Sequence, residues 1–144
     1  MNEARLLAVA TEIEARGRIN FADVRRLERD ILPDGVTSRA EAEILIRLDR
    51  DVPRADRTWN AWFVAALVDF VVWSERPTAV VDEDAAAWLS AALDEPTPCR
   101  NARRLIAAIV AEAERVHESL GSRGEDDEAV EIIVDKSGLA AAAA

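Results

Sequence analysis

Residues 58–73, TWNAWFVAALVDFVVW, limit this chain's options more than any other stretch, because they hold five of its seven aromatic residues. Wound at about 3.6 residues per turn, they set Trp59, Phe63, Ala66, Phe70 and Trp73 on one broad side, with Ala61, Ala65, Val68 and Val72 opposite. A helix that is apolar all round belongs in a core or a bilayer. Sixteen residues rise only about 24 Å, short of the roughly 20 apolar residues a span requires, and Asn60 and Asp69 interrupt the run. The stretch is therefore expected to be a central core helix, residues 56–74, with neighbours on most of its circumference. The small side chains would let one helix approach closely.

The flanking chain supplies those neighbours. Leu6, Leu7, Ala10 and Ile13 recur at helical spacing and Gly17 stops the first helix. Asn20 is a good cap for a second helix carrying Val24, Leu27 and Ile31, and Ile19 with Val24 has the spacing of a hydrophobic staple. That helix ends before Pro33. Asp34-Gly35 makes a turn, and Ser38 with Glu41 fits a capping box for a third helix that stops near Val52-Pro53. Asp82 caps a helix to Leu93, and Thr97-Pro98 is expected to open a last long helix reaching about Leu120, with Ala113, Val116 and Leu120 continuing its buried stripe. The expectation is an all-α fold: a compact bundle of about six helices in one domain, residues 1–121, followed by a C-terminal tail.

That tail, residues 122–144, opens as an acidic linker and continues with the apolar residues Val130, Ile132, Ile133 and Val134. It either packs back on its own domain or offers a short peptide, as an added strand, to another protein.

A formal charge of −10, from 28 acidic against 18 basic residues, argues against nucleic acid and anionic membrane as partners, since both demand a local excess of Lys and Arg. One cysteine, Cys99, makes no internal disulfide, and the first residues lack the basic-then-apolar order of a signal peptide, so the expected location is the cytoplasm. The Ala-, Arg- and Asp-rich usage with a single Lys fits a GC-rich bacterial genome.

Three helix starts share a β-branched residue, a cap, and an aliphatic seven positions after the cap: Ile19-Asn20 with Leu27, Val36-Thr37 with Ile44, and Val81-Asp82 with Leu89. Gly17 and Gly35 stand just upstream of two of them. Over residues 12–51 this pattern resembles degenerate EF-hand-like domains, and also the Asp-Gly-x-x-Ser-x-x-Glu helix starts of TerB-like helical domains of bacteria. The resemblance implies an acidic helical domain that binds calcium or another divalent ion, with Asp30, Asp34 and Glu41 as ligands, or one that has lost its ligands and serves as a scaffold. The first loop, residues 12–23, departs from the pattern by placing Arg16 among the ligands, and the second, residues 30–41, by placing Leu32 there, so a full oxygen cage is not supplied.

Little else carries chemistry. The sequence has no Gly-rich phosphate loop, nucleophile elbow, HExxH or CxxC. His117 has only Glu114 within metal-ligand spacing, and it lies about 27 Å along one helix from Cys99. Asp69 is the informative polar residue. A carboxylate on a buried helix must pair with an Arg or cap a neighbour; otherwise it anchors a ligand in a pocket walled by Trp62 and Trp73. The chain is thus expected to be no enzyme and to need no cofactor. It should act by contact with another protein or itself, with divalent-ion or small-ligand binding as the alternative.

Overall fold

The computed structural model describes residues 2–120. Among them the fold is all-α: six helices, a further helical turn opened by residues 118–120, and four two-residue strands. No helix of the described residues is long and apolar enough to cross a membrane.

The first half follows its local signals. Helix α1 (Asn2–Arg16) ends where Gly17 adopts φ +77°, a left-handed stop that costs glycine no Cβ strain. Strand β1 (Arg18–Ile19) leads into α2 (Phe21–Arg26), where Asn20 and Asp23 form a reciprocal capping box. That helix continues as a wider turn, Leu27–Ile31, closed by the Leu32 amide reaching the Leu27 carbonyl at 2.8 Å. Ser38 caps α3 (Arg39–Asp51) by accepting the Glu41 amide. Strand β2 (Arg54–Ala55) precedes α4 (Arg57–Val68), which runs on as a π-helical stretch, Asp69–Ser74.

In the second half, β3 (Val80–Val81) is followed by α5 (Glu83–Asp94), which Asp82 caps as expected. The last long helix is shorter than its periodicity predicts. Helix α6 (Ala102–Glu112) starts four residues after Pro98 and ends eight before Leu120, giving way to β4 (Arg115–Val116). Both corrections have non-local causes. At the start, the Asn101 amide and side chain are held by Asp49. At the end, Arg115 and Val116 pair in parallel with Val80 and Val81.

The two strand pairs are one device used twice. Arg18 and Ile19 pair in parallel with Arg54 and Ala55. Just beyond the strands, the Asp56 amide donates to the Ile19 carbonyl and the His117 amide to the Val81 carbonyl, both at 2.8 Å. Each strand thus delivers a cap to the helix after it: Asn20, Asp56, Asp82, and His117, whose Nδ1 accepts the Ser119 amide at 3.1 Å. At the second of the three repeated helix starts, where Thr37 or Ser38 could be the cap, the cap is Ser38 and no strand precedes it.

The core gathers about α4. Trp59, Phe63 and Leu67 are fully buried, with Leu6 and Ile13 of α1, Leu45 and Leu48 of α3, Leu89 and Leu93 of α5, and Leu105 and Ile109 of α6. At about 1.5–3 kcal/mol for each large apolar side chain buried, α4 is a main source of stability. Its burial has one gap, however. Ala61, Ala65, Asp69 and Trp73 are exposed along one stripe, while Trp62, Val64, Ala66 and Val68 pack half-buried on the core, so the expected cover around most of the circumference is present.

Candidate functional site

The uncovered side of α4 faces α6 across a groove of about 670 Å³. Two contacts fix the helices as a parallel pair. Near their starts the Asn101 side-chain amide donates to Asn60 Oδ1 at 2.8 Å, and near their ends the Trp73 indole N–H donates to Glu112 at 3.3 Å. Between these contacts the small side chains the sequence offered for close approach leave a trough, with Ala61, Val64, Ala65 and Val68 from α4 and Ala108 from α6.

Charge is divided along the trough. Arg57 and Arg104 stand at the end where both helices begin; Asp69 and Glu112 stand near where they finish. Arg57 to Asp69 is about 18 Å by helical rise. None of the four is in an ion pair with another described residue. Arg57, Arg104 and Glu112 oppose the helix dipole, which favours acids in the first turn and bases in the last. Trp73 flanks the acidic end with 44% of its surface exposed.

The sequence-derived trio is therefore split. Asp69 and Trp73 line the groove, but Asp69 is exposed, which corrects its expected burial and pairing; its near neighbour is Gly35, whose Cβ position lies 3.8 Å from Asp69 Oδ2. Trp62 lies elsewhere, half-buried on the core, with its ring centroid 5.7 Å from that of Trp59. The sequence reading missed Arg57, Arg104, Ala108 and Glu112. The signal for the last three was the i, i+4, i+8 row of α6, off the stripe of Leu105 and Ile109; Arg57 begins the Arg57, Ala61, Ala65, Asp69, Trp73 row of α4 and its continuation.

The most deeply buried carboxylate among the described residues is Asp49 of α3. It has no exposure and accepts the Trp59 indole N–H at 2.9 Å and both the Asn101 amide and side chain at 2.7 Å. The network ties α3, α4 and the start of α6, setting one wall of the groove against the other. Cys99 lies beside it; burial, and then the Asp49 charge, push its thiol up to about 12. A thiol so protonated is a poor nucleophile at neutral pH.

Of the residues offered as divalent-ion ligands, Asp30 and Asp34 are exposed, while Glu41 is 3% exposed and accepts the Thr37 amide at 2.7 Å and hydroxyl at 3.0 Å. Among the described residues no three His, Cys, Asp or Glu side chains gather as a metal site. His117 is a helix cap with Nδ1 2.8 Å from Ser119 Oγ, not a member of the α6 stripe. The tail residues Val130, Ile132, Ile133 and Val134 lie outside the described residues. No protein-family model matches the chain, and no curated protein or solved structure is significantly similar to it.

Proposed function

We propose that this chain is a non-catalytic helical domain that works by protein–protein contact, with the groove between α4 and α6 as its contact surface. One observation carries the reading: the most aromatic helix of the chain leaves an apolar stripe, Ala61, Val64, Ala65 and Val68, open between charged ends and beside an exposed Trp73. A concave apolar strip rimmed by Trp and Arg has the make-up of an interface centre.

The test is site-specific photo-crosslinking in the producing cell. A benzophenone side chain at position 61 or 65 is expected to form protein adducts, while the same probe at the other exposed apolar positions, Leu7 and Phe21, forms none. Equal adducts at all four positions, or none at positions 61 and 65, would sink the reading.

The second reading is a divalent-ion or small-ligand domain of EF-hand-like or TerB-like type. In its favour are the left-handed Gly17 and Gly35 at φ +77° and +81°, set in loops before capped helices. Against it is Glu41, whose carboxylate is already engaged by Thr37. A calcium titration followed by Trp fluorescence separates the two, because a saturable change at micromolar calcium favours the ion-binding domain.

A further inference from the structure

We propose that the partner which covers the groove is a second copy of this chain, lying antiparallel about a two-fold axis near Ala65 and Ala108. The proposal rests on the interaction reading above and names the partner.

A two-fold interface uses the same patch on both copies, so the patch must be complementary to itself. In its distribution of charge this groove has that property. Its cationic end, Arg57 and Arg104, and its anionic end, Asp69 and Glu112, are separated by an uncharged middle of alanines and valines. Rotation about an axis across the middle sets Arg104 of each copy opposite Glu112 of the other, and Arg57 opposite Trp73, one helical turn beyond Asp69. All four charges, none of them in an ion pair with another described residue, then gain an opposite charge nearby. The spacing fits such an axis: Ala65 lies eight residues from both Arg57 and Trp73, and Ala108 four from both Arg104 and Glu112.

Three further features agree. Antiparallel packing sets helix starts against helix ends and so relieves the unfavourable placement of Arg57, Arg104 and Glu112 on the helix dipoles. Ala65 and Ala108 at the axis, with Ala61 one turn away, let the backbones approach closely. Trp73, exposed at the acidic end, is carried to the cationic end of the other copy, where an indole face is a good seat for a guanidinium. A parallel arrangement of the two grooves would instead put like charges together at both ends.

The experiment is sedimentation velocity on the full chain, wild type and two charge-reversed variants, R57E/R104E and D69K/E112K. Wild type is expected to be a dimer whose association weakens as salt is raised. Each variant alone faces like charges at both ends and should associate about a hundredfold more weakly. An equimolar mixture of the two should regain the dimer, with one of each variant per particle by native mass spectrometry, which also shows that both fold. If wild type dimerises and both variants dimerise equally well, another surface is responsible and the proposal falls. It falls too if wild type stays monomeric at about 1 mM, where even weak specific association is visible. In that case adducts from position 65 to a different protein would leave the interaction reading standing, and a lack of adducts would remove both.

Discussion

The Asp49 carboxylate accepts the indole N–H of Trp59 at 2.9 Å from a position with no solvent exposure. Because it also holds the Asn101 amide and side chain, one side chain joins three helices. Removing it strands three donors, and each stranded donor costs about 1–3 kcal/mol. Asp49→Ala is expected to lower the urea unfolding free energy by about 3 kcal/mol or more. Asp49→Asn, which keeps the shape and one acceptor oxygen, should lose distinctly less. An Asp49→Ala variant within about 0.5 kcal/mol of wild type, the range of ordinary surface changes, would show that the network contributes little.

Asp69 is expected to behave in the opposite way. It is exposed on α4 with no ion pair to another described residue, so Asp69→Ala in dilute solution should leave the unfolding free energy within about 0.5 kcal/mol of wild type. Calorimetry at low chain concentration is the check, since association would otherwise add to the apparent stability. A fall above about 1 kcal/mol would point to a partner for Asp69 inside the fold.

Asp56 gives the stability a pH dependence of known sign. The Thr58 hydroxyl at 2.6 Å, and then the Thr58 amide at 2.9 Å, hold its carboxyl below the ordinary value of 3.8. A carboxylate with a depressed folded pKa contributes stability above its unfolded pKa and loses it as pH falls through the folded value. Asp56→Asn retains a good cap without titrating. The advantage of wild type over this variant should be constant above about pH 5 and shrink below about pH 4. Urea midpoints across that range measure it, and a gap that widens with acid would reverse the assignment.

Cys99 is 4% exposed, and burial is the main cause of its thiol's rise to about 12. At pH 8 a disulfide reagent should leave the native protein unmodified and label the urea-unfolded chain at once, with native labelling limited by opening of the fold. The sign of the linkage adds an alkaline limb. Above the ordinary value of 9.0 the unfolded thiol ionises while the folded one does not, so stability falls as pH rises from there towards 12. Rapid native labelling would show that the thiol is accessible.

The helix starts were legible because their causes lie within a few residues. Gly17 stops α1, Asn20 with Asp23 opens α2, Ser38 opens α3 and Asp82 opens α5. The end of α6 was not. Residues 113 and 114 are Ala and Glu, good helix formers, and the break there is imposed by pairing with Val80 and Val81, more than thirty residues back. The groove was half legible. Its alanines stood out as a small-residue stripe, but whether a stripe is filled by a neighbour or left open depends on how far apart the helices are held, and no local pattern records that. The exchange of Asp69 for Asp49 as the buried acid was avoidable. Asp49 lies four residues after Leu45 and three before Val52, both buried, so it falls on the inward stripe of α3.

Helix α4 with its π-helical continuation leaves the first strand pair and leads into the second, and it packs against both α2 and α6. The two halves share it and cannot be separate modules. A cut at the exposed residues 76–78 would yield unequal fragments. The first keeps β1, β2 and the whole aromatic helix; the second keeps β3 and β4 but loses Phe63, Leu67 and Phe70, against which its own apolar faces close. The second fragment is expected to acquire a fold only by rejoining the first, which makes this turn the natural place to divide the chain into a split pair whose reassembly, followed by circular dichroism, reports on the core.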